Sequence, residues 1–112
     1  MSLVNSIRYH PEYSNIENLG GGVTTLTIAA DPKHPINALE LIGAVDATSD
    51  LELRSGSNVL WKITLPTGGS SFHFELKGHY YSGINEALIA ELSASTGSAN
   101  LSLAYTKSVT RS

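Results

Sequence analysis

Residues 58–77 read NVLWKITLPTGGSSFHFELK. Two runs of alternating apolar and polar residues flank a stretch of proline, glycine and serine. In the second run Phe72, Phe74 and Leu76 fall on one side, and Ser71, His73, Glu75 and Lys77 on the other. A period of two marks a half-buried strand. Setting Leu65 opposite Phe72 aligns Ile63 with Phe74 and Trp61 with Leu76, while Lys62 meets Glu75 and Thr64 meets His73. A slip of one residue drives the phenylalanines into water, so the pattern predicts a hairpin in this register. The ion pair adds only about 0.2–1 kcal/mol. Burial of the aromatic row dominates, at roughly 1.5–3 kcal/mol per large side chain.

Two further hairpins follow from the same parity argument. LELR (51–54) and NVLWKITL (58–65) are joined by SGS, with Leu53 set opposite Val59 and Leu51 opposite Trp61. EALIAELS (86–93) and ANLSLAYTK (99–107) align Leu92 with Leu101, Ala90 with Leu103 and Leu88 with Tyr105. Glu, Ala and Leu favour helices, but an eight-residue helix without caps is marginal, and 86–93 is read as a strand. VTTLTIAA (23–30) and NALELIGAV (37–45) are also strands, separated by Pro32 and Pro35, with Gly43 a candidate bulge. Turn signals recur every 8–12 residues or so, too closely for βαβ crossovers. The expected fold is all-β: a single β-sandwich of seven or eight antiparallel strands over 23–112, with a closed barrel as the alternative closure. Residues 1–22, ending in three glycines, are read as an extended N-terminal arm studded with Ile7, Tyr9, Tyr13, Ile16 and Leu19.

Composition narrows the functional classes. The 112-residue chain has no cysteine, a net charge of −3 and only 15% charged residues. Lysine and arginine are scattered, which argues against nucleic acid as a partner. No apolar run approaches the ~20 residues of a membrane span, and MSLVNSIRYHPEY lacks the pattern of a signal peptide. His10, His34, His73 and His79 stand in no metal-binding spacing, so neither metal nor cofactor is expected. Asp46 and Asp50 are read as caps of their own turn. There is no G-x-S-x-G elbow and no glycine loop with a lysine, and the chain is not expected to be an enzyme. GHYYSG (78–83) places His79, Tyr80 and Tyr81 in a loop suited to sugar stacking or an interface. The competing assignment tucks one tyrosine into the core. Trp61 is assigned to the core.

From about residue 37 to 106 the order of features resembles the small jelly-roll decoration (cement) proteins of tailed-bacteriophage capsids. The stretch LIGAVDATSDLELRSGSNVLWKITLPTGGSSFHFELKG, then GINEALIAELSAS and ANLSLAYTK, carries the likeness, with Asn85 standing where that pattern has glycine. The resemblance implies a jelly-roll-like sandwich that binds the exterior of a virion across its capsomers. It further implies a homotrimer, assembled in the host cytoplasm, whose partner is the major capsid protein. The arm residues Ile7, Tyr9, Tyr13 and Ile16 are then the expected capsid or subunit contacts. The alternative is a receptor- or carbohydrate-binding module of a tail tip or fibre, with His79, Tyr80 and Tyr81 as the ligand loop.

Overall fold

The computed structural model describes residues 11–65 and 70–107. Every regular element among them is a strand: β1 (Glu12–Asn18), β2 (Thr24–Ile28), β3 (Ile36–Val45), β4 (Ser49–Ser55), β5 (Asn58–Leu65), β6 (Ser70–Tyr81), β7 (Leu88–Leu92) and β8 (Ala99–Lys107). They form two four-stranded antiparallel sheets, β1-β8-β3-β6 (sheet A) and β2-β7-β4-β5 (sheet B). This order, with strands alternating between facing sheets, is that of a jelly roll. The expected sandwich is therefore observed.

The burial strings show why these segments are strands. β4 reads buried at Ser49, Leu51, Leu53 and Ser55 and half-exposed between, and β7 buried at Leu88, Ala90 and Leu92. Leu41, Leu101 and Leu103 of sheet A and Leu51, Leu53, Leu88 and Leu92 of sheet B are wholly buried in one cluster. Each such side chain contributes roughly 1.5–3 kcal/mol.

Only one of the three expected hairpins exists. β4 and β5 pair directly around Gly56, which adopts φ +58° in the turn. The register differs from expectation: Leu53 faces Trp61 and Leu51 faces Ile63. A bulge between Leu53 and Arg54 takes up the shift: Trp61 and Ile63 stay on the face of Leu53 and Leu51, whereas Val59, expected opposite Leu53, pairs with outward-facing Arg54 and is exposed. β5 and β6 belong to different sheets, as do β7 and β8. Residues that alternate in step can be neighbours in one sheet or face each other across a core, and here they do the latter. Trp61 and Phe74 meet edge to face at 5.1 Å between centroids, closing the seam between β5 and β6.

The arm boundary also moves. Residues 12–18, expected within a 22-residue arm, are the edge strand of sheet A, with Ile16 opposite Leu101 and Glu12 opposite Tyr105. Residues 1–10 lie outside the described residues. Gly43 is no bulge. It sits in a regular row Ile16–Leu101–Gly43–Phe72 across sheet A, where a Cβ would come within 2.6 Å of the Phe72 ring and 2.3 Å of the Asn100 carbonyl oxygen. The register shift of β3 lies instead between Ala38 and Glu40. On β6 the four residues 76–79 stand opposite Leu39 alone, with Lys77 at φ +54°.

Side chains tie down the connections. The Asp46 carboxylate accepts N–H bonds from Thr96 (2.8 Å), Gly97 (2.9 Å) and Ser98 (2.9 Å), so it caps a loop far along the chain rather than its own turn. Asp50 does not cap either: its carboxylate accepts from the Thr64 hydroxyl at 2.8 Å. Asp31 accepts from Lys33 and His34 N–H and lies 3.4 Å from the Lys107 ammonium. Buried Ser82 accepts the Ile36 N–H through Oγ and donates its own N–H to the Ile36 carbonyl. No buried side-chain polar atom among the described residues lacks a partner.

Two predictions follow from these contacts. Gly43→Ala should destabilise the fold by about 1–3 kcal/mol, since both neighbours of the new methyl are packed; urea unfolding should show a lower midpoint at unchanged slope. Asp46 and Asp31 are both held below the ordinary carboxylate range. The Thr96 N–H is the main cause at Asp46 and the Lys33 N–H at Asp31, each outweighing the opposing effect of desolvation. A folded-state pKa below the unfolded one gives stability that is present above the unfolded pKa and lost as pH falls through the folded pKa. The thermal midpoint should therefore drop on acidification below about pH 4. Asp46→Asn should start lower at neutral pH and fall less.

Candidate functional site

The two ends of the sandwich differ. Connections 19–23, 46–48 and 93–98 lie at one end, joined by the Gly22 N–H to the Ser95 carbonyl at 2.9 Å and by the Asp46 cap. Connections 29–35, 56–57 and 82–87 lie at the other, joined by Asn85 N–H to the Asp31 carbonyl (2.8 Å) and Gly56 N–H to the Ala87 carbonyl (2.9 Å). This second end also carries the start of β1, the end of β6 and the end of β8, because Glu12 pairs with Tyr105 and Asn37 with both Tyr81 and Thr106.

His79, Tyr80 and Tyr81 were expected in a loop. They are instead the last residues of β6, with Tyr80 opposite Ala38 and Tyr81 opposite Asn37. Tyr80 is half-buried against the core, His79 is exposed and Tyr81 is 55% exposed. The assignment of one tyrosine inward and one outward fits this arrangement. Ile84, 60% exposed, stands in the adjoining loop. Of the four expected arm contacts, Ile7 and Tyr9 lie outside the described residues. Tyr13 is 69% exposed on β1, whereas Ile16 packs against the chain's own core. Ile16 is thus a packing residue of the sandwich, and Tyr13 alone of the described pair offers a free side chain. Residues 1–10 join the body at Pro11, at the end that bears Tyr81.

The outer faces carry the charged groups. On sheet B, Thr25, Glu91, Glu52 and Lys62 form one row across four strands. Arg54 donates to Glu52 at 2.8 Å and to Glu91 at 2.9 Å, and the Thr25 hydroxyl donates to Glu91 at 2.8 Å. The hydrogen bonds to Glu52 and then Glu91 push the Arg54 pKa up. Desolvation is the largest influence on Glu91 and raises its pKa, but the Thr25 and Arg54 bonds together overcome it and hold the carboxyl low. Every charge in this row has a partner, which marks a self-satisfied surface.

Sheet A differs. Glu40 on β3 and Glu75 on β6 are direct register partners. His73, two residues before Glu75 on the same face, lies 2.5 Å through Nε2 from the Glu40 carboxylate. The expected partners of Glu75 and His73, Lys62 and Thr64, are on the other sheet, where Lys62 pairs with Glu52 and Thr64 with Asp50. Sequence reasoning missed this cluster because it placed β6 beside β5. The available signal was the parity of NALELIGAV (37–45), which puts Glu40 on the polar face of a strand able to take β6 as a neighbour.

The two classes of arm residue separate experimentally. Ile16→Ala should cost about 1–3 kcal/mol in urea unfolding, somewhat below a fully buried isoleucine. Tyr13→Ala should stay within about 0.5 kcal/mol of the parent. No protein-family model matches the chain, and a search of curated proteins also found no match.

Proposed function

We propose that the protein is a structural component of a virion that decorates the exterior of a capsid as an oligomer, most simply a homotrimer, with the major capsid protein as its partner. The observation that carries this reading is the sheet order β1-β8-β3-β6 over β2-β7-β4-β5, the architecture that the sequence resemblance implies. Supporting it is the placement of the attachment elements. The apolar-studded segment 1–10 joins the body at the end that also displays Tyr81 and Ile84. Binding would be multivalent: several weak contacts in one symmetric oligomer gain avidity through effective concentration. No residue is assigned a catalytic role.

A second reading is favoured by one observation. Tyr81 is an exposed aromatic beside exposed His79, and such a ring can stack on a sugar. In a receptor- or carbohydrate-binding module of a tail tip or fibre, Tyr81→Ala should abolish glycan binding while leaving stability and oligomeric state unchanged.

The discriminating experiment is native mass spectrometry of the full chain beside a version comprising residues 11–112. The cut must stop at residue 10, because residues 12–18 are a strand of sheet A. A full-length trimer and a folded monomeric truncation would support assembly through the terminal segment. Loss of co-sedimentation with phage heads in the truncation would tie that segment to the capsid. Folded monomers of both forms that do not co-sediment with heads would overturn the decoration reading and leave glycan arrays as the next test.

A further inference from the structure

We propose that Glu40, His73 and Glu75 form a surface site for a divalent transition-metal ion of the zinc type. The ion would be held by one imidazole nitrogen and two carboxylates. The ligating atoms of the three side chains all lie within 4.8 Å of one another. Bonds of about 2.0–2.2 Å to a common tetrahedral ion bring ligand atoms roughly 3.3–3.5 Å apart. Rotation of the glutamate side chains closes that difference, since Glu75 is exposed and Glu40 half-exposed. The backbone need not move, because β3 and β6 are paired continuously from Glu40–Glu75 to Val45–Ser70.

Charge is the second ground. Like charges directly opposite in an antiparallel pair destabilise it, yet the register sets Glu40 against Glu75. The row on sheet B shows how this chain handles the same problem elsewhere. There Glu52 also faces Glu91, and Arg54 bonds to both. On sheet A, among the described residues, no lysine or arginine forms an ion pair with Glu40 or Glu75. Lys62 is engaged with Asp50 and Lys107 with Asp31. His73 stands where Arg54 stands in the other sheet, two residues along the strand from one glutamate and within bonding reach of the other. An arginine can only donate hydrogen bonds, whereas an imidazole nitrogen can ligate a metal. A dication would neutralise both carboxylates at once.

The donor set selects the ion. One nitrogen with two carboxylate oxygens suits zinc and neighbouring first-row ions, while calcium and magnesium prefer all-oxygen shells. Three protein ligands leave the fourth position to water. The assignment is independent of the capsid reading and can fail without it.

The test uses the full chain, with Zn²⁺ in calorimetry and Co²⁺ as a visible-absorption probe. One ion per chain is expected, with a tetrahedral Co²⁺ spectrum and a thermal midpoint that rises with added Zn²⁺. His73→Ala and Glu75→Gln should each weaken binding by roughly tenfold or more and abolish the Co²⁺ bands, while His34→Ala keeps both. Melting curves without metal should show all variants folded, since His73 and Glu75 are exposed and His34 is half-exposed. Absence of binding at millimolar Zn²⁺, or equal binding by parent and His73→Ala, would overturn the proposal.

Discussion

Two layers of leucine hold this molecule together: Leu41, Leu101 and Leu103 from one sheet against Leu51, Leu53, Leu88 and Leu92 from the other. Every strand is amphipathic only in the sense of a pleat, and no strand can bury its apolar side without a facing sheet. The constraint explains why Trp61, Phe72 and Phe74 gather at one margin. Where β5 and β6 leave the sandwich edge open, Trp61 and Phe74 bridge the sheets, and Phe72 lies against Phe74 with centroids 5.9 Å apart. Gly43 leaves Phe72 room to lie over β3. The row Ile16–Leu101–Gly43–Phe72 thus works as a unit, with the small residue and the large one as neighbours.

Much of the core-facing side was legible from alternation, though not Val59, which the β4–β5 bulge turns outward. Phe72, Leu76, Leu88, Ala90, Leu92, Leu101 and Leu103 all fall where parity put them. Strand partners were not legible, for a definite reason. Parity says which side of a strand is apolar and nothing about whether the next strand lies beside it or across from it. A local turn settles the matter only at Gly56, whose left-handed conformation makes the β4–β5 hairpin. The other successive strands exchange sheets, and their connections carry glycine, serine and proline just as a hairpin turn would.

The same gap hid the charged cluster. Glu75 has a plausible cation in Lys62 if β5 and β6 share a sheet, and a like-charged neighbour in Glu40 once they do not. The irregularity at residues 76–79 was equally invisible, because a positive φ at Lys77 has no signature in a lysine. It converts a stretch that reads as a loop into the far end of a long strand. That change moves Tyr80 inward and leaves Tyr81 facing out.

The position of β8 has a consequence for how the chain acquires its structure. β8, the last strand among the described residues, is an interior strand of sheet A, flanked by β1 and β3, so Glu12 finds its partner only when Tyr105 exists. A nascent chain emerging from the ribosome holds β1 without a neighbour and β3 with one side unpaired until residues 99–107 have been made. Pairing across such separations is slow because the loop must close before any contact rewards it. Sheet B has β2, β7, β4 and β5 available earlier and can come together first. Sheet A is therefore completed by the insertion of a central strand, and residues 99–107 are the ones that commit it.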